Sequence, residues 1–238
     1  MVTTRTDVVS LPSPDQPDAG MNLYLWVPDG GATAAILLIQ EIFGVGDYIT
    51  AVAERLAAAG YLVGAPDVFW RFAPGFRVVH DEDGLNQAFA AVGQLDPPLA
   101  IGDCTAALAH LAALDGIERT GVIGFCLGGT LAWGVAAAGD PDVCVSYYGS
   151  GVPDMIGMID QVHCPTLFHF GNDDPYIANE RVETINAAIA GREGFVLNVE
   201  HAGHAFDNHA APMFHNESAA KAAWAKTMAF LQMYLGPA

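Results

Sequence analysis

Gly121-Val122-Ile123-Gly124-Phe125-Cys126-Leu127-Gly128-Gly129 is an apolar run that breaks at a cysteine set between glycines. Up to Phe125 it has the apolar character of a buried strand, and from Leu127 onward it reads as a helix. A strand that passes at once into a helix leaves its corner residue in a tight, strained turn. Side chains at the flanking positions would collide with the backbone there, and glycine at 124 and 128 removes them. The thiol of Cys126 is thereby presented at a helix N-terminus, where backbone N–H groups and the helix dipole favour thiolate. A glycine-rich turn around an inert, buried cysteine has the same spacing, so the surrounding chain must distinguish the two.

Outward from that corner, short strand-like runs alternate with helical patterns. Residues 21–27, 35–39, 61–65, 121–125, 143–148, 166–170 and 195–199 read as strands, several of them apolar without alternation, as parallel strands covered on both faces are. Asp47 is expected to cap a helix with the stripe Ile49, Val52, Ala53 and Leu56, closed by Gly60. Asp103 is expected to cap another with Cys104, Ala107, Leu108 and Leu111 on one side, closed by Gly116. The last helix carries Trp224, Met228, Leu231 and Leu235 and stops at Gly236-Pro237. This alternation predicts an α/β fold with a mainly parallel, doubly wound sheet flanked by helices. Ligands of such sheets bind beyond the carboxyl ends of the strands. No repeat or linker interrupts residues 21–235, so one domain is expected over 1–238, with 1–20 as a polar N-terminal segment.

The chain of 238 residues is 52 % hydrophobic and 15 % charged, which places it among folded globular proteins rather than disordered ones. It carries 9 Lys plus Arg against 27 Asp plus Glu, a formal charge of −18 with no basic cluster, and this excludes nucleic acid as a partner. A solvated acidic surface around one closed domain leads us to expect a monomer. Residues 1–20 contain no apolar core of signal-peptide length, and the apolar run 34–39 is too short to cross a bilayer. No membrane association and a cytoplasmic location are therefore expected. Cys104, Cys126, Cys144 and Cys164 fit neither a zinc-site spacing nor a disulfide framework, and the histidines form no metal-binding pattern. Neither metal nor cofactor is expected.

A thiol nucleophile needs a base, and the base needs an orienting carboxylate. Gly171-Asn172-Asp173-Asp174-Pro175 follows the strand 166–170, and His201-Ala202-Gly203-His204-Ala205-Phe206 follows the strand 195–199. Nucleophile, acid and histidine thus succeed one another at three strand ends, an order that suits acyl transfer. Either carboxylate and either histidine can fill its role at this level. Asp174 and His204 rank ahead, because Gly203 gives His204 room and Phe206 can wall the site. Ile39-Gln40-Glu41-Ile42-Phe43-Gly44 ends a further apolar strand with a glutamate. There the backbone N–H of Ile42 is placed to join that of Leu127 as an oxyanion hole.

Gln40-Glu41-Ile42-Phe43-Gly44, the Gly-Phe-Cys-Leu-Gly-Gly corner, Gly-Asn-Asp-Asp and Ala-Gly-His-Ala-Phe together resemble the dienelactone hydrolases (carboxymethylenebutenolidases) of the α/β-hydrolase superfamily. The likeness runs from about Met21 to Leu235 and takes in Pro66-Asp67 and Tyr147-Tyr148-Gly149. It implies Asp174 as the acid and His204 as the histidine. It also implies that Glu41 helps hold the thiol neutral until substrate binds and then helps generate the thiolate. Cys126 would attack a lactone or ester carbonyl while the N–H groups of Ile42 and Leu127 hold the oxyanion. Phe43, Trp70, Arg71, Tyr147 and Phe206 are the expected pocket residues, and Phe72, Phe76 and Phe89 add to an apolar surround. In one respect the chain departs from the family pattern. Where the family's carboxylate-gripping arginines are expected, this sequence reads Gly84-Leu85-Asn86-Gln87 and Phe206-Asp207-Asn208. Arg71 or Arg77 would have to substitute. The competing readings are a broad carboxylesterase or thioesterase without dienelactone activity, a thiol redox protein and a non-catalytic binding module.

Overall fold

The computed structural model describes residues 2–11 and 18–236. Its strands are β1 (Val2–Ser10), β2 (Gly20–Pro28), β3 (Ala34–Ile39), β4 (Leu62–Pro66), β5 (Arg119–Phe125), β6 (Val143–Tyr147), β7 (Thr166–Gly171) and β8 (Phe195–Glu200). They form one sheet in the order β1-β2-β4-β3-β5-β6-β7-β8. From β4 to β8 every neighbouring pair is parallel, while β1–β2 and β2–β4 are antiparallel. β3, β4, β6 and β7 are buried along their whole length, and so is β5 beyond Arg119, which explains why those segments lack polar alternation.

The helices are α1 (Asp47–Ala58), α2 (Glu82–Val92), α3 (Pro97–Ala112), α4 (Leu127–Gly139), α5 (Val152–Met155), α6 (Asn179–Ile189) and α7 (Glu217–Leu235). They cover the sheet. α3 and α4 pack on each other and on the central strands, with Ile101 filling the space that Gly134 leaves. α1 and α7 meet where the guanidinium of Arg55 sits over the Trp224 ring, 3.7 Å from its centroid. The expected α7 stripe spans a real helix with Leu231 and Leu235 buried, and Pro237 lies outside the described residues.

Three sequence expectations need correction. The polar N-terminal segment holds β1, which pairs with β2 over its full length although most of it is exposed and only Val9 is buried. An edge strand that buries so little leaves no hydrophobic signature to read. Asp47 is the first residue of α1 rather than its cap; Gly46 occupies that position. Asp103 lies inside α3, which starts earlier at Pro97-Pro98 behind Asp96, whose side chain accepts from the N–H of Leu99 at 3.1 Å. Proline at a first helical position is pre-set in φ and has no N–H to lose, so Asp96-Pro97 is the stronger start signal.

Candidate active site

Cys126 sits at the end of β5 with φ 54° and ψ −112°, immediately before α4. A Cβ on Gly124 would lie 1.9 Å from the carbonyl oxygen of Gly128, and one on Gly128 would lie 2.2 Å from that of Ile39. Both glycines are therefore obligatory for the corner to close. Four non-glycine residues among those described have positive φ: Cys126, Tyr148, Ala205 and Asp140. The first three gather around the thiol, and the strain they store is held there by packing on all sides.

His204 donates or accepts at both ring nitrogens. Its Nε2 lies 3.2 Å from Cys126 Sγ and its Nδ1 lies 2.7 Å from Asp174 Oδ2. The other oxygen of Asp174 accepts the backbone N–H groups of Tyr176, at 2.8 Å, and Ile177, at 3.2 Å. The carboxylate is thus pinned by its own turn and aims at the imidazole. Asp173 is exposed, and His201 points away to a contact of 2.8 Å between its Nδ1 and Asn172 Nδ2. Geometry separates the two pairs that sequence left open. The β7 and β8 loops are drawn together at Gly171, where a Cβ would lie 2.1 Å from the Ala202 carbonyl oxygen.

Burial opposes a charge on His204. The hydrogen bonds to Asp174 and Cys126, and the negative charge on both, outweigh it and raise the imidazole from its ordinary 6.5 to about 10. The imidazole is thus held between the Asp174 carboxyl and the Cys126 sulfur, which lies at the N-terminus of α4, where the helix dipole favours negative charge.

Glu41 reaches the same cleft from the loop after β3. Gln40 braces that loop by accepting the N–H of Val68, and Gly44 turns it at φ 84°, where a Cβ would lie 1.9 Å from the Phe76 carbonyl oxygen. Glu41 is buried, with Oε2 accepting from Asn208 Nδ2 at 2.6 Å and standing 3.8 Å from His80 Nε2. Its Oε1 is buried without a hydrogen-bond partner. Ile42 and Leu127 line the same cleft as Cys126, and their backbone N–H groups have no acceptor among the described residues. Below, Tyr48 donates to Asp207 at 2.7 Å, and burial pushes the Asp207 carboxyl up despite that bond.

The cleft over Cys126 has a volume of about 290 Å³. Of the aromatic and arginine residues expected around the pocket, Phe43 and Phe89 line it. Tyr147 is fully buried beneath, stacked on Phe125 and bonded to Thr227 at 2.6 Å. Phe206 is fully buried against Tyr148. Trp70 and Arg71 turn away to Asp103, which accepts Trp70 Nε1 at 2.9 Å and Arg71 at 2.7 and 2.8 Å. A charged residue inside α3 is what holds them, and reading Asp103 as a cap concealed it. Arg77 faces a larger depression of about 580 Å³ on the β1–β2 side that contains neither Cys126 nor His204. Phe72 and Phe76 pack on Phe69.

The lining that sequence reasoning missed is Leu85 and Val92, which flank the expected Phe89 on α2, together with Tyr176 and Phe214. The i, i+4, i+7 spacing of the α2 residues, behind a cap at Asp81, was the available signal. Asn208 and His80 as neighbours of Glu41 carried none, because both are brought in by loops. Among the described residues no group of three or more His, Cys, Asp or Glu is arranged to hold a metal ion, and no helix is long and apolar enough to cross a membrane.

Comparison with known proteins bears on this site. Residues 21–235 match the model of the dienelactone hydrolase family. Carboxymethylenebutenolidase 1 of Cupriavidus pinatubonensis is 30 % identical over 90 % of this chain and 92 % of its own. A carboxymethylenebutenolidase of a Pseudomonas species is 34 % identical over 88 % of each. Among solved structures, a candidate dienelactone hydrolase of Klebsiella pneumoniae superposes with a TM-score of 0.79 at 26 % identity, covering 98 % of this chain and all of that one. The chain therefore has the α/β-hydrolase fold and belongs to the dienelactone hydrolase family of ester- and lactone-hydrolysing enzymes.

Proposed function

We propose that the chain hydrolyses a lactone or ester through an acyl-enzyme on Cys126, with His204 and Asp174 completing a triad and Glu41 tuning the thiol. The observation that carries this reading is the 3.2 Å approach of Sγ to His204 Nε2 at the N-terminus of α4, with Asp174 fixing the far side of the ring. The Cys126 thiolate attacks the carbonyl carbon, a C–S bond forms, and the carbonyl electron pair moves to oxygen. The N–H groups of Ile42 and Leu127 receive that oxyanion; losing one such donor typically costs about 2.7–4 kcal/mol in the transition state. Collapse expels the alkoxide, which takes a proton from the His204 imidazolium and, for a lactone, stays tethered to the acyl group. Water then attacks the thioester while His204 takes its proton, and the thiolate leaves. Glu41, which lines the same cleft with its Oε1 unpartnered, is the group to which we assign the tuning of the thiol.

Cys126→Ala is expected to lower kcat by roughly 10⁴-fold or more while leaving Tm near that of the wild type. Activity retained in that variant sinks the reading. A thiol redox protein would need neither Asp174 nor the free N–H groups beside Cys126, so the geometry favours hydrolysis. We also read the chain as one domain and as a cytoplasmic monomer, on its uninterrupted pattern and acidic composition. A particle of twice 25.0 kDa in light scattering overturns the second point.

A further inference from the structure

The charge around the thiol constrains what can enter. Neither arginine nor lysine lines the cleft, whose walls away from the reacting groups are mostly apolar, with Leu85, Phe89 and Val92 on one side and the uncharged Thr130 and Ser150 as the polar exceptions. Phe89 and Tyr176 are both about half exposed, at 52 % and 53 %, and form an apolar rim at the mouth. Large apolar side chains left bare around a concave site mark a surface that an apolar ligand covers. The cationic His204 is already held by Asp174 and Cys126. Asn208, which follows the histidine, spends its amide on Glu41 at 2.6 Å and on its own turn, accepting from Ala210 at 2.9 Å. Arg181 reaches the lining only through the Ser150 carbonyl oxygen, at 3.0 Å, and is paired with Asp154 at 2.7 Å. Arg71 is committed to Asp103.

A carboxylate entering this cleft would lose its water, find no free cation, and lie near Glu41 in a molecule of net charge −18. A hydrocarbon chain entering it would shed water against the α2 face. From these two facts, and resting on the hydrolase reading above, we infer that the substrate is an uncharged lactone or ester whose hydrocarbon substituent lies on Leu85, Phe89 and Val92. Acid-bearing lactones are disfavoured by the same surface. Leu85 is the position that sets this preference, because a cation on the α2 face there would point into the cleft.

The test uses two γ-lactones that differ only at the end of the side chain, one carrying a pentyl group and one a 4-carboxybutyl group. Ring opening is followed by base uptake at constant pH. The pentyl lactone is expected to have a kcat/KM about a hundredfold higher. Leu85→Arg is expected to raise the rate on the carboxybutyl lactone about tenfold and lower that on the pentyl lactone. Equal rates in the wild type, or a preference for the carboxylate, overturn the inference, and so does a Leu85→Arg variant of wild-type Tm with an unchanged ratio. Equilibrium binding of the same two lactones to Cys126→Ala, by calorimetry, separates this inference from the mechanism. If neither lactone is opened but the pentyl compound binds at least tenfold tighter, the cleft preference stands and the cysteine mechanism falls. If the carboxybutyl compound binds as tightly, the cleft preference falls whatever the chemistry.

Discussion

Cys126, His204 and Asp174 stand on three turns whose backbone is locked, whereas Leu85, Phe89 and Val92, lining the same cleft, stand on one face of a helix. On the first side positive φ values, obligatory glycines and paired N–H groups fix each reacting atom. Nothing there can shift without cost. On the second side the side chains are apolar, partly exposed and carried on one face of a regular helix, so one can be exchanged for another of different chemistry while the helix stays. The contrast teaches which changes alter the reaction and which alter the substrate. Changes on the first side should appear in kcat, and changes on the second in KM.

The largest effect tests the locked side without removing the nucleophile. Asp174→Asn keeps the shape of the acid but removes its charge, and is expected to lower kcat by about 10²–10⁴-fold with KM little altered. His204 should titrate lower in the variant, because one of the two anions raising it is gone; side-chain NMR of the imidazole reads this directly. The sign for stability follows. His204 is raised above its ordinary 6.5, so the stabilisation it contributes is complete below that pH and is lost as pH rises towards about 10. The wild type should therefore exceed Asp174→Asn in Tm at pH 7 by more than at pH 10. A gap that widens with pH would mean that the imidazole is not held as a cation.

The same contrast explains how much was legible in the sequence. The corner at Cys126, the Gly171 loop and the Gln40–Gly44 loop announce themselves because each needs a glycine or a polar group where a strand ends, and backbone constraints leave marks in single residues. Parallel strands announce themselves through their unbroken apolar runs. Beyond Phe89, the α2 wall was hidden because apolar residues such as Leu85 and Val92 look the same on a helix whether they face a core or a cleft. Tyr147 and Phe206 misled for the same reason: they neighbour the key residues in the chain, but a one-residue step turns a side chain from the cleft into the core. β1 escaped because an exposed edge buries too little to leave a pattern.

A smaller effect sharpens the second side. Phe89→Ala removes one large rim contact that is already half solvated, so only part of a phenylalanine's burial is at stake. KM for the pentyl lactone should rise about three- to tenfold with kcat held within about twofold, and KM for a methyl-substituted lactone should hardly move. A fall in kcat as large as the rise in KM would mean that α2 positions the reacting carbonyl as well as the hydrocarbon, and the division between the two sides would fail.

The smallest effect on catalysis belongs to Arg71, which the sequence offered as a replacement carboxylate grip. Its guanidinium makes two charge-assisted bonds to Asp103 and lies over the Trp70 ring, 4.5 Å from the centroid. Together these tie the loop after β4 to α3. Removing the arginine leaves the buried Asp103 carboxylate with Trp70 as its remaining side-chain partner. Arg71→Ala is accordingly expected to lower stability by about 1–3 kcal/mol, read in urea unfolding. Its kcat/KM should stay within about twofold on both γ-lactones. If it instead lost activity on the carboxybutyl lactone alone, at unchanged stability, Arg71 would have to leave Asp103 and swing to the cleft when substrate binds. The apolar wall would then be only half of the substrate site.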